Sequence, residues 1–84
     1  MSSVKVFYRA ALAEQTGKAE ESIKAKKVKD VLRHIKKTYG EETFKEARRM
    51  LIAVDGDSIG LRKGFDTKLA EGMEVRFLPI CGGG

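Results

Sequence analysis

The stretch Val28-Lys29-Asp30-Val31-Leu32-Arg33-His34-Ile35-Lys36-Lys37-Thr38-Tyr39-Gly40 decides the fold. Val28, Val31, Leu32, Ile35 and Tyr39 recur at helical spacing, and Lys29, Asp30, Arg33, Lys36 and Lys37 occupy the other side, so the segment reads as an amphipathic helix with one buried face. Lys36 and Lys37 put positive charge near the negative end of the helix dipole, and Gly40 sits where helices commonly end in a left-handed residue. His34 falls toward the polar side and reads as a surface histidine, because no second catalytic group accompanies it at helical spacing.

Upstream, Val4, Val6 and Tyr8 alternate with Lys5, Phe7 and Arg9, which predicts a strand from Val4 to Ala10. Ala11 to Gln15 suits a helical turn, Thr16-Gly17-Lys18 a chain reversal, and Glu20 to Ala25 a second strand around Ile23 that would form a hairpin with the first. Downstream, Glu41 to Met50 predicts a shorter helix that plugs one end of the core, with Phe44, Ala47 and Leu51 or Met50 turned inward and Glu41 and Glu42 in its first turn. Leu51 to Val54 followed by Asp55-Gly56 reads as a strand and a tight turn, with Ser58 to Gly60 as a short return strand. Leu61 to Ala70 is irregular and anchored by Leu69. Glu71-Gly72 turns the chain, and Met73 to Pro79 is the last strand, with Val75 and Phe77 on one face. One long helix among these strands packs most economically across one face of a mixed sheet, an α+β arrangement in two layers. By analogy this is a β-grasp, in which the first and last strands lie side by side and parallel in the middle of the sheet.

Eighty-four residues make one domain at most, with 42% hydrophobic and 35% charged residues, a globular balance and not that of a disordered chain. No apolar run approaches the roughly 20 residues needed to span a bilayer, and Met1 to Lys5 does not resemble a signal peptide, so a cytoplasmic protein is expected. A single cysteine and a single histidine leave no disulfide framework and no metal cluster. The net charge of +5 gathers in Lys24, Lys26, Lys27 and Lys29, then in Arg33, Lys36 and Lys37, and reads as a solvated helix face with its entry loop. An RNA-binding module is the competing reading of that charge, but no aromatic residue is interleaved with these lysines to stack on bases.

The chain ends Phe77-Leu78-Pro79-Ile80-Cys81-Gly82-Gly83-Gly84. Three terminal glycines cannot stabilise a fold, since glycine loses the most entropy on ordering. Either the end is frayed polymer, or its carboxylate enters a slot too narrow for side chains. Residues 1–79 would then be the domain and 80–84 a flexible arm. Cys81 reads as a small apolar filler, since nothing nearby in sequence would lower its pKa. Strand parity puts Phe7 and Leu78 opposite Val4, Val6, Tyr8, Val75 and Phe77. If the helix covers the latter set, Phe7 and Leu78 are either a docking patch on the open face or lie under a loop.

Taken in order, Val4 to Ala10, Val28-Lys29-Asp30-Val31-Leu32, Val54-Asp55-Gly56, Asp66-Thr67-Lys68-Leu69, Glu71 to Val75, Phe77-Leu78-Pro79 and the Gly-Gly end resemble the ubiquitin-like sulfur carriers of the MoaD and ThiS type over nearly the whole chain. The added helix at Glu41 to Met50 is closer to the MoaD branch. The resemblance implies a β-grasp fold and a C-terminal carboxylate, here on Gly84, that a MoeB/ThiF-like partner adenylates with ATP before its conversion to a thiocarboxylate. Gly82 and Gly83 would thread the tail, and Phe7, Leu78, Pro79 and Ile80 are the candidate partner-binding residues. A MoaE-like catalytic subunit would receive the sulfur for molybdopterin. The chain itself would hold no cofactor or metal and would be a protein cosubstrate, not an enzyme. Ile80-Cys81-Gly82 departs from the second proline, valine and alanine common in the MoaD type, which bears on partner choice and not on reactivity. A ubiquitin-like modifier joined to lysines through Gly84, or a carrier serving thiamin or tRNA thiolation, is the alternative.

Overall fold

In the computed structural model, which describes residues 2–80, five strands form one mixed sheet in the order β2-β1-β5-β3-β4. The elements are β1 (Ser2–Phe7), α1 (Ala10–Thr16), β2 (Glu20–Ala25), α2 (Val28–Tyr39), α3 (Glu41–Arg49), β3 (Leu51–Val54), β4 (Asp57–Ser58) and β5 (Glu74–Leu78), with 3-10 turns at Ile59–Leu61 and Gly64–Asp66. β1 and β5 are parallel neighbours, with Val6 opposite Val75, and every other pairing is antiparallel. This is the β-grasp arrangement that one long helix and the two terminal strands implied.

The core lies between the sheet and α2. Val4, Val6, Ile23, Ile52, Val54, Val75 and Phe77 from the strands meet Val28, Val31, Leu32 and Ile35 from the helix, all buried. α2 starts at Val28 although Lys27, its N-cap residue, has no side-chain oxygen to cap it. Asp30 supplies one: its Oδ2 accepts the backbone N–H groups of Lys26 and Lys27 at 3.0 Å each. Burial alone would raise the Asp30 carboxyl, but these two bonds and the charges of Arg33 and Lys29 outweigh it and hold the group below the usual range.

Four features differ from the sequence expectation, and at the end of α3 the structure chooses Met50 over Leu51 as the inward residue. β1 stops at Phe7 and not at Ala10, because Ala10 takes a positive φ of 54° and opens α1, whose Leu12 is fully buried. α3 turns in Met50 while Leu51 stays 43% exposed, and Thr43 joins Ala47 on its buried side. Gly40 has φ 103° and ψ 174°, a backbone state open to glycine and strained for other residues, and not the left-handed helical value expected of it. Asp55 and Gly56 both have positive φ, which makes a two-residue hairpin turn. Pairing therefore resumes at once with Val54 opposite Asp57, so the return strand is Asp57–Ser58 and Ile59 already begins a 3-10 turn. β5 is shorter than expected, ending at Leu78 with Pro79 outside it.

At the end of the sheet where β5 finishes, Glu21 closes the core. Its Oε2 accepts hydrogen bonds from the hydroxyls of Tyr8 (2.5 Å) and Tyr39 (2.8 Å), and Lys18 Nζ lies 3.3 Å from Oε1. Burial, and then the Glu21 carboxylate, push the Tyr8 phenol well above its ordinary range. Burial works against ionised Glu21 as well, but the bonds from Tyr8, Tyr39 and Lys18 outweigh it and hold the carboxyl below its ordinary value. A group depressed in this way stabilises the fold fully above its unfolded pKa, about 4.3, and loses that contribution as pH falls through the lower folded value. Glu21→Gln is therefore expected to cost about 1–2 kcal/mol at pH 7. The gap to the parent protein should narrow in urea unfolding as pH falls below the unfolded pKa of about 4.3, and a gap independent of pH would contradict this account.

Candidate functional site

The face of the sheet turned away from α2 carries the groups that strand parity set apart. Phe7, Arg76 and Ala53 lie in one row across β1, β5 and β3, since Phe7 pairs with Arg76 and Arg76 with Ala53. In the next row toward the tail Leu78 pairs with Leu51. No loop buries Phe7 or Leu78; both are half-buried, Pro79 is exposed, and Ile80 is 69% exposed. The four predicted partner-binding residues thus fall on or beside one apolar surface at the C-terminal end of β5. Gly82, Gly83 and Gly84, and with them Cys81, lie outside the described residues.

Two side chains that the sequence reading left out complete this surface. Leu51, expected with Met50 as an alternative for the inward position, leaves that position to Met50 and flanks Leu78 on the open face. Its strand is apolar throughout, so alternation could not tell the core side from the other; the register with β5 decides it. Arg76 holds its guanidinium 4.4 Å from the centroid of the Phe7 ring while its Nη1 pairs with Glu74 at 2.9 Å. Lys5 reaches the same ring at 6.0 Å and pairs with Glu20 at 3.3 Å. The result is an apolar centre with a rim of paired charges, which is the usual anatomy of a protein-binding surface.

Elsewhere, a polar cavity of about 530 Å³ opens between α1 and α3, lined by Gln15, Glu42, Lys45, Glu46, Arg48 and Arg49. Its charges are mixed, and Arg49 and Glu46 satisfy each other at 2.7 Å. His34 sits 3.6 Å from Glu21 and touches Thr38, so it serves the closing of the core. Among the described residues no His, Cys, Asp or Glu side chains converge in a way that could hold a metal ion, and no helix is long and apolar enough to cross a membrane. Removing the Arg76 guanidinium from the Phe7 ring should cost about 0.5–1 kcal/mol. Arg76→Ala is expected to show that loss in urea unfolding and to bind more of a hydrophobic dye, because the ring loses its cover; unchanged dye binding would mean that the ring is protected otherwise.

The family model described as ThiS family matches residues 6–84. No curated protein matches the sequence significantly. Small archaeal modifier protein 1 from Methanosarcina acetivorans is 27% identical, with a TM-score of 0.83 over 100% of this chain and 98% of its own. The putative molybdopterin converting factor subunit 1 from Pyrococcus furiosus, 24% identical, superposes with a TM-score of 0.74 over 96% of this chain and 100% of its own. Subunit 1 in the complex of subunits 1 and 2 of the molybdopterin-converting factor from Helicobacter pylori, also 24% identical, gives 0.68 over 96% and 99%. The last two likenesses show the shared fold.

Proposed function

The chain belongs to the ThiS family, and we propose that it is a sulfur carrier whose Gly84 carboxylate becomes a thiocarboxylate and donates its sulfur in molybdopterin biosynthesis. The observation that carries this reading is the apolar surface of Phe7, Leu51, Leu78 and Ile80, set where the last strand gives way to the terminal glycines. A partner seated there would receive the tail in its own active site. A free carboxylate is a poor electrophile. In the proposed activation, one carboxylate oxygen attacks the α-phosphate of ATP on a MoeB/ThiF-like enzyme, releasing pyrophosphate and leaving an acyl adenylate. Sulfide then attacks the acyl carbon and AMP departs with that oxygen, so the terminal oxygen is replaced by sulfur. The three glycines would let the backbone pass a channel without side chains, and a MoaE-like subunit would take up the sulfur. This chain presents and delivers, while its partners catalyse.

A second reading has an observation of its own. The likeness to small archaeal modifier protein 1 covers 100% of this chain at 27% identity, and a modifier would use the same adenylate with a lysine amine as the attacking group. The two readings separate by product. With ATP, a MoaD-activating enzyme and sulfide, intact mass spectrometry is expected to show one oxygen replaced by sulfur, and deletion of Gly84 should abolish the change. A lysine-linked conjugate without thiocarboxylate would favour the modifier, and no reaction would remove both.

The docking surface is tested separately. Leu78→Asp places a charge opposite Leu51 on the open face and outside the core, so the circular dichroism spectrum should persist. Affinity for the activating enzyme in calorimetry is expected to fall at least tenfold, about 1.4 kcal/mol. Phe7→Asp should act in the same direction. Unchanged affinity in both would remove the surface from the proposal.

A further inference from the structure

The end of the sheet opposite the C-terminus gathers lysines from two distant stretches of the chain. β2 runs antiparallel to β1 and β1 parallel to β5, so the chain leaves β2 at Ala25 on the side where β5 begins, roughly 23 Å along the strands from Leu78 at about 3.3 Å per residue. There the β2–α2 link is tied to the loop before β5. Lys27 bridges Lys68, Val28 N–H donates to the Thr67 carbonyl at 3.0 Å, and Leu69 N–H donates to the Lys26 carbonyl at 2.8 Å. Two stretches distant in sequence, residues 24–30 and 62–68, become one surface. Together they carry Lys24, Lys26, Lys27, Lys29, Arg62, Lys63 and Lys68 against Asp30 and Asp66, while Asp55, Asp57, Glu71 and Glu74 lie at the same end outside the two stretches.

The acids at this end are already engaged. Asp30 caps α2, Asp66 pairs with Lys29 at 3.1 Å, Asp57 with Arg62 at 2.8 Å and Glu74 with Arg76 at 2.9 Å, while Glu71 accepts the Ser3 N–H at 2.8 Å and Asp55 the Glu74 N–H at 2.9 Å. Among the described residues Lys24, Lys26, Lys27, Lys63 and Lys68 form no ion pair. An open cleft of about 240 Å³ between Arg62, Lys63, Thr67 and Lys68 indents the same surface. Phe65, in the 3-10 turn Gly64–Asp66, is 39% exposed, with the Arg48 guanidinium 5.9 Å from its ring centroid.

We propose that this basic end binds the phosphodiester backbone of a nucleic acid, without regard to sequence, while the docking face and tail stay free. The lysine content decides against an acidic protein partner. Protein interfaces are depleted in lysine and favour arginine and aromatic residues, whereas lysines without ion-pair partners suit phosphates, whose bound counterions they release. One exposed aromatic suits an occasional stacked base and not a reader of sequence. The inference is independent of the sulfur-carrier reading, since it needs neither Gly84 nor an activating enzyme.

The test is fluorescence anisotropy with labelled 20-nucleotide RNA and DNA of one sequence, each single-stranded and as a duplex, at several salt concentrations. Binding in the micromolar range at low salt is expected, with log K falling against log salt with a slope of about −3 on single strands, for about four phosphate contacts. The arms rank RNA against DNA. Lys26→Glu with Lys68→Glu should weaken binding at least tenfold. Lys37→Glu with Lys45→Glu, an equal change of charge at the tail end, should alter it less than threefold. All four lysines are exposed, and the corresponding Gln pair serves if the Glu pair fails to fold. Absence of binding at low salt, equal losses from the two pairs, or polyglutamate binding as tightly as RNA would each overturn the proposal.

Discussion

The parallel pairing of β1 with β5 is the constraint on which the rest of the architecture depends. Parallel neighbours cannot be joined by a tight turn and need a crossover, and here everything from residue 8 to residue 73 forms it. That long excursion has to cover one face of the two central strands, return to pair with β5 through β3, and close both ends of the core. α2 does the first, β3 the second, and the Tyr8–Glu21–Tyr39 cluster and the Lys27–Lys68 bridge stand at the two ends. Because β5 is central, it is held on both sides up to Arg76 and by β3 alone up to Leu78.

That placement explains why the open face is apolar where it is. A central strand has no edge to expose, so an apolar residue on its outer face must face water, a loop or a partner. Phe7 and Leu78 meet no loop, and the Arg76 guanidinium over the Phe7 ring covers it in part. An arginine that stacks on one side and pairs with Glu74 on the other can swing aside at little cost, which a packed loop could not do.

How much of this was legible in the sequence depended on whether a signal was local. α2 was readable because its five apolar positions repeat over three turns, and β5 because Val75 and Phe77 alternate with charged residues. The open face followed from the parity of β1 and β5. Leu51 did not, since Leu51 to Val54 is apolar on both faces and only the register with β5 assigns its sides. Asp30 as the capping group was hidden by the absence of a cap at Lys27 itself, and the return strand was misplaced because its start depends on positive φ at both Asp55 and Gly56. The terminal glycines gave the strongest functional signal, and it came from composition, with no packing needed.

The basic end is the clearest case of information that sequence holds but does not display. Read along the chain, the positive charge seemed to belong to α2 and its entry loop. In three dimensions part of that face is neutralised, with Arg33 on Asp30 and Lys36 on Glu41, and the unpaired excess moves to the loops at residues 24–30 and 62–68. Those stretches are more than thirty residues apart and meet only through backbone hydrogen bonds at Lys26, Val28 and Thr67, which depend on no particular side chain and leave no pattern to read. The same bonds separate the charged end from the apolar face by the length of β5. One small domain thereby holds two surfaces of different chemistry at opposite ends of its central strand, so that a ligand on one need not obstruct the other.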